Sequence, residues 1–138
     1  MYQLILGHIS TLSALPLPPV LMAQAPDGPR RANWLAGRAL LAHATTPLMD
    51  IQYGEEGKPA FPPGSGRWFN LSHSGDHIAL LLSDEGEVGC DIEVIRPRNG
   101  WQRLANALFS EGEHQELERE PPERRLVAFW RIWTRKEA

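Results

Sequence analysis

The sequence predicts an α+β fold, with strand-like and helix-like stretches segregated along the chain. Three observations carry this reading. Tyr2 to Ile9 is an apolar, β-compatible run, with Leu4, Leu6 and His8 alternating against Ile5 and Ile9. Arg30 to His43 carries Trp34, Leu35, Leu40 and Leu41 as an apolar helical stripe. From Trp68 onward, strand-like runs give way to helix-like runs that continue to the end.

The elements follow in order. After the first strand, Pro16, Pro18 and Pro19 make a link, and Pro26 to Pro29 is a second breaker. The helix from Arg30 to His43 puts Arg31 and Arg38, seven residues apart, on one face. Ile51 to Tyr53 is a short strand, and Gly54-Glu55-Glu56-Gly57-Lys58-Pro59 and Pro62-Pro63-Gly64-Ser65-Gly66 are turn-rich loops. Trp68 to Ser72 is a strand that ends in a polar knot, His73-Ser74-Gly75-Asp76. His77 to Leu82 reads as a buried strand. Asp84-Glu85-Gly86 signals a hairpin into a further strand, Val88 to Ile95, which Arg96-Pro97-Arg98 ends. Leu104 to Phe109 is helical, and Ser110-x-x-Glu113 has the form of a capping box for another short helix. Pro121 and Pro122 suit a helix start. Behind them Leu126, Phe129, Trp130 and Trp133 fall at helical spacing.

At 138 residues the chain has the length of one ordinary domain, and 42% hydrophobic with 22% charged residues is a globular composition. A net charge of -3 argues against a general nucleic-acid binder. Cys90 is the single cysteine, so no internal disulfide forms, which fits a reducing compartment. No apolar run has the length of a membrane span, and the first residues lack the basic and apolar regions of a signal peptide. The expectation is a cytoplasmic protein.

Five constellations carry chemistry. In a strand, Asp91 and Glu93 point one way and Cys90, Ile92 and Val94 the other. Two carboxylates so close repel, and a hard divalent cation relieves the repulsion; a solvated polar face is the plainer reading. In the last helix Glu137 lies four residues after Trp133, at the border of the aromatic stripe. A partly desolvated glutamate there suits a metal ligand or a proton acceptor, with Lys136 beside it for a phosphate; a helix-terminal charge pair is the alternative. In Phe69-Asn70-Leu71-Ser72-His73-Ser74, hydroxyls and an imidazole are able to bond phosphate oxygens or simply local backbone. In the loop before Phe61, glycines and Lys58 allow close approach of an anion, though not in a Walker loop. Arg30, Arg31 and Arg38 are phosphate clamps or a solvated helix face, and His43 and His114 are structural or surface residues. A Ser/His hydrolase is disfavoured by the absence of a nucleophile elbow, and zinc spacing is absent.

Gly54-x-x-Gly57-Lys58-Pro59-x-Phe61, Phe69-Asn70-x-Ser72-His73-Ser74, Val88-Gly89-x-Asp91-Ile92-Glu93 and Trp133-x-x-Lys136-Glu137-Ala138 occur in this order. Together they resemble the Sfp-type 4'-phosphopantetheinyl transferases, most closely the bacterial AcpT-like holo-acyl-carrier-protein synthase branch. The likeness covers most of the chain and is closest from about Arg30 onward. It implies a pseudo-dimer of two α+β halves with coenzyme A between them, and transfer of the phosphopantetheine arm to a serine of an acyl carrier protein with Mg²⁺. It implies Asp91, Glu93 and Glu137 as metal ligands, Glu137 also as the acceptor of the serine proton, and Lys136 near the pyrophosphate. It implies Ser72 and His73 on coenzyme A phosphates, with Lys58 and Arg38 nearby. The basic run Arg124, Arg125, Arg131, Arg135 and Lys136 is expected to face an acidic carrier.

Relatives of this kind continue past the Lys-Glu-Ala helix. The expectation is therefore a first half over 1–87 and an incomplete second half over 88–138, truncated at the C-terminus. A phosphate-binding lysine would be missing, Glu137 would sit in a fraying turn, and Phe129, Trp130 and Trp133 would lack cover. Such an apolar face would favour a homodimer, and a remnant that only binds coenzyme A or a carrier is the rival reading.

Overall fold

The structure, a computed structural model, describes residues 1–45, 50–54 and 57–138. Glu55 and Glu56 of the turn-rich loop lie outside the described residues. The chain divides into two compact units, Met1–Ile92 and Glu93–Ala138.

The first unit contains β1 (Tyr2–His8), α1 (Ile9–Leu12), α2 (Pro19–Met22), α3 (Arg31–Ala44), β2 (Gln52–Tyr53), β3 (Pro59–Ala60), β4 (Trp68–Ser74) and β5 (His77–Ser83). β5 is the centre of an antiparallel sheet of order β1-β5-β4, and β2 pairs with β3 separately. Alternation sorts the sheet's side chains. Ile78, Leu80 and Leu82 of β5 join Phe69 of β4 and Ala36, Leu40 and Leu41 of α3 in one core, while Leu4 and Leu6 of β1 are 60% and 63% exposed. α3 is rich in Ala and Leu, which lose little rotamer freedom in a helix. Its Gly37 allows a close approach to the sheet, because a Cβ there would meet Leu71 Cδ1 at 3.2 Å.

The polar knot is the true hairpin. Ser74 pairs with His77, and Gly75 turns the chain with φ 58°. Asp76 then fastens α1: its Oδ1 accepts from the Ser10 N–H at 2.8 Å and its Oδ2 from the Ser10 hydroxyl at 2.6 Å. At the expected hairpin, Asp84 and Glu85 instead clamp the Met1 amine, each at 2.7 Å.

The strand expected from Val88 to Ile95 does not form; these residues have no regular secondary structure. The reason lies in β4. Asn70 and Ser72 project from the face opposite Phe69 and Leu71 and offer side-chain acceptors to the segment. The Cys90 N–H donates to Asn70 Oδ1 at 3.0 Å, and the Ile92 N–H to Ser72 Oγ at 3.1 Å. Side chains thus take the place of a backbone ladder. Residues 91–94 are all half-buried, so the two-sided alternation expected of Asp91 and Glu93 is not observed.

The second unit contains α4 (Trp101–Leu108), α5 (Glu111–Glu118), a 3₁₀ turn at Pro122–Arg124 and α6 (Arg125–Glu137). The capping box is present: Ser110 Oγ accepts from the Glu113 N–H at 3.2 Å, and Glu113 Oε1 accepts from the Ser110 N–H at 2.8 Å. The expectation of an uncovered aromatic face on α6 is overturned. Phe129 is 0% and Trp130 2% exposed, and Trp133 is half-buried against the same core. Ala105 and Phe109 from α4 and its end, with Leu117 from α5, supply the cover. Phe129 stacks on Phe109 at 5.5 Å, and the Trp130 indole N–H donates to the Arg96 carbonyl at 3.0 Å. With that face covered, α6 offers no aromatic patch to drive a homodimer.

Candidate functional site

In the first unit, α3 carries Arg38 into the interior. Only 5% of this residue is exposed. Its guanidinium lies over the Trp34 ring at 4.7 Å and donates to the Tyr53 hydroxyl from β2. Burial pushes its pKa down, and the Tyr53 contacts oppose that shift. Among the described residues, no carboxylate lies at ion-pair distance from Arg38. Arg38 lines a cavity of about 380 Å³ with Gln24, Asp50 and Tyr53. A second cavity, of about 210 Å³, is lined by Gly54, Lys58, Arg67, Trp68 and Glu87, among others. Arg38 and Lys58 therefore border different cavities, to which the consecutive residues Tyr53 and Gly54 contribute.

Ser72 and His73 are neighbours on β4, and strand alternation sends them to opposite faces. His73 is exposed. Ser72 is engaged on the outer face: its hydroxyl donates to Asp91 Oδ1 at 3.1 Å while accepting from Ile92. Asn70 does parallel work, accepting from the Cys90 N–H and, through its carbonyl, from Cys90 Sγ at 3.4 Å. Burial pushes the Cys90 thiol pKa up, against a nucleophilic role.

In the second unit, Glu93 accepts from Arg96 at 3.3 Å. Lys136 meets Glu113 Oε1 at 2.9 Å, and Glu137 is exposed in the last turn of α6. The basic run does not present a free positive face. Arg135 pairs with Glu116 at 2.7 Å and Arg131 with Glu116 and Glu120 at 3.4 and 3.6 Å. Of the five basic residues, only Arg124 and Arg125 make no ion pair among the described residues, and Arg125 Nε donates to the Glu120 carbonyl. The acids of α5 and the turn after it neutralise the rest.

Among the described residues no group of three or more His, Cys, Asp and Glu side chains is gathered closely enough to hold a metal ion. Asp91 belongs to the first unit and Glu93 and Glu137 to the second. Among the described residues no helix is long and apolar enough to cross a membrane.

Sequence reasoning missed Tyr53 as the partner of Arg38, Arg67 beside Lys58, and the tie from Glu113 to Lys136. Only Glu113 left a signal, its place in the capping box.

A family model described as the 4'-phosphopantetheinyl transferase superfamily matches residues 87–138. The chain is 71% identical over all 138 residues to the 4'-phosphopantetheinyl transferase AcpT of Salmonella typhi, covering 72% of that relative. It is 69% identical over the same length to AcpT of Escherichia coli K12, covering 71% of it. It is 34% identical over 90 residues to the 4'-phosphopantetheinyl transferase of Bacillus subtilis, a match spanning 64% of this chain and 39% of that relative.

Proposed function

This chain belongs to the 4'-phosphopantetheinyl transferase superfamily, a family of transferases, and from that premise we propose that it moves the phosphopantetheine arm of coenzyme A onto a serine of an acyl carrier protein. The observation that carries the coenzyme A assignment is Arg38. A guanidinium so deeply buried, making no ion pair among the described residues although Asp50 lines the same cavity, is costly unless an anion binds there. A phosphate monoester or diphosphate is such an anion, and arginine's planar fork suits it. Lys58 and Arg67 line a second cavity suited to another phosphate or the polar base of the nucleotide. His73, exposed on β4, is a further phosphate donor in this reading, and Ser72 acts on Asp91 as well as on coenzyme A.

Asp91, Glu93 and Glu137 are the proposed holders of Mg²⁺. The donor set fits: three carboxylates are hard oxygen ligands, and Ser72 orients Asp91 from behind, as an outer-shell partner does. When bound, the ion supplies charge neutralisation on the pyrophosphate. The chain's own residues do the rest. The serine oxygen of the carrier attacks the phosphorus that bears the pantetheine arm. The bond from that phosphorus to the bridging oxygen breaks, and adenosine 3',5'-bisphosphate departs with the electron pair. Glu137, directly or through water, takes the hydroxyl proton. Lys136 steadies the negative charge that grows on the bridging oxygen. The two-half, pseudo-dimeric arrangement is the fold this reading carries with it. Pairing with a second copy draws no support from α6, whose aromatic face is covered. The non-catalytic alternative is disfavoured by identities of 69–71% across all 138 residues.

The test is incubation with Mg²⁺, coenzyme A and apo acyl carrier protein, followed by mass spectrometry of the carrier. A phosphopantetheine adduct is expected, and Asp91→Ala is expected to abolish it. Full activity of that variant refutes the ligand assignment, and no adduct from the unaltered chain refutes the enzyme reading.

A further inference from the structure

We infer that Glu113 is a positioning residue for Lys136, fixing the ammonium group for the pyrophosphate; this rests on the reading of Lys136 given above. A single oxygen, Glu113 Oε1, accepts from the Ser110 N–H at 2.8 Å and from Lys136 Nζ at 2.9 Å. Glu113 is not a loose surface acid. Its own N–H donates to Ser110 Oγ at 3.2 Å, so the reciprocal cap of α5 locks its backbone and its carboxylate together. The Glu113 side chain is 17% exposed and that of Lys136 35%, less than the 31% and 56% of Glu116 and Arg135 in the neighbouring pair.

A lysine ammonium is a point charge on a flexible four-carbon stem, and ordering it at the moment of reaction costs entropy. Glu113 removes that freedom in advance. The ammonium has three N–H donors. Glu113 occupies one, which leaves two for oxygens of a bound pyrophosphate. The capping box of a short helix is thereby joined to α6 at the residue next to Glu137.

The rival role for Glu113 is a mere clip between α5 and α6, and the experiment separates the two. Glu113→Gln keeps a capping-box side chain but removes the charge facing Lys136. Ser110→Ala weakens the cap without touching Lys136. The chain, both variants, Lys136→Gln and the double variant Glu113→Gln/Lys136→Gln are compared in transfer from coenzyme A to apo carrier protein and in thermal unfolding. The expected result is a loss of about ten- to a hundredfold in kcat/KM for Glu113→Gln at a nearly unchanged midpoint. A lowered midpoint with a smaller loss of transfer than that of Glu113→Gln is expected for Ser110→Ala, which keeps the Ser110 N–H on Glu113 Oε1. In the Lys136→Gln background, Glu113→Gln is expected to cost nothing further. Transfer by Glu113→Gln at the unaltered rate, a loss that multiplies with that of Lys136→Gln, or an equal loss from Ser110→Ala overturns the inference. Lys136→Gln transferring at the unaltered rate sinks the underlying reading instead. Should the unaltered chain give no adduct, calorimetric binding of coenzyme A with Mg²⁺ carries the same cycle: equal, non-additive weakening supports Glu113, and additive or absent effects overturn it.

Discussion

Replacing Arg38 by methionine should move two measurements in opposite directions. Methionine keeps a long apolar stem against Trp34. Its sulfur–aromatic interaction there contributes about 0.3–1.5 kcal/mol, close to the roughly 0.5–2 kcal/mol of the cation–π interaction it replaces. The Tyr53 hydroxyl gives up its donor, but Tyr53 is 57% exposed and turns to water, so the net cost stays near 1 kcal/mol. Against these stands the relief of burying an uncompensated cation, and swaps of buried ionic groups for apolar ones are often neutral or stabilising by about 1–4 kcal/mol. The first unit should therefore unfold at the same denaturant concentration or a higher one. Coenzyme A binding should weaken. A hydrogen bond to a charged group contributes about 1.5–3 kcal/mol, which at about 1.4 kcal/mol per decade is roughly a 10- to 150-fold rise in Kd. Urea unfolding and isothermal titration with coenzyme A measure the two effects. A variant destabilised by about 2 kcal/mol while binding coenzyme A normally would show that Arg38 serves the fold, and the phosphate assignment would fail.

Two further outcomes follow from the packing and the charges. Phe129→Ala opens a void at a fully buried ring that touches Phe109, Trp101, Trp130 and Trp133, and should cost about 3–5 kcal/mol, read as early loss of the tryptophan near-ultraviolet signal; a cost under about 1 kcal/mol would refute the core described. Hydrogen bonds from the Ser10 side chain and backbone hold the Asp76 carboxyl below its usual range, and the Ser110 N–H and Lys136 do the same for Glu113. A carboxyl with a depressed folded-state pKa adds stability that is complete above its ordinary value near 4 and is lost as pH falls through the folded value. Acid titration of the melting temperature should thus show a decline below about pH 4, and Ser10→Ala should flatten it; an unchanged acid slope in that variant would count against the Asp76 linkage.

What could be read from the letters was local. The stripe of Trp34, Leu35, Leu40 and Leu41 places α3 within one residue of its observed bounds, and Ser110-x-x-Glu113 marks the start of α5. What failed was partner choice. Val88 to Ile95 has the composition of a strand, but alternation reports which side chains differ, not where the N–H groups go. Those of Cys90 and Ile92 go to Asn70 and Ser72, twenty residues back. The helical wheel put Arg31 and Arg38 on one face without their depth. Arg31 keeps a 40% exposed side chain near Asp27, whereas Arg38 sinks beneath Tyr53. The Glu113–Lys136 pair joins residues 23 apart across two helices, a distance no periodicity spans.

The distribution of paired and unpaired cations bears on which unit recognises which partner. On α6, Arg131, Arg135 and Lys136 each meet a glutamate of α5 or the turn after it, so their charge is largely neutralised within the unit. In the first unit, Arg38, Lys58 and Arg67 line cavities with no ion pair among the described residues. An anionic co-substrate gains most where a cation is withdrawn from water and makes no ion pair among the described residues, as Arg38 does; Lys58 and Arg67 are exposed, and Asp50 and Glu87 also line the two cavities. The reading that follows gives coenzyme A a phosphate contact at Arg38 of the first unit and keeps Lys136, at the end of α6, for the pyrophosphate. An acidic carrier would then gain little from the α6 basic row as a whole. Reversing Arg131 to glutamate should accordingly disturb the helix pairing with α5 more than it weakens carrier binding; a large drop in carrier affinity at unchanged stability would return the docking surface to α6.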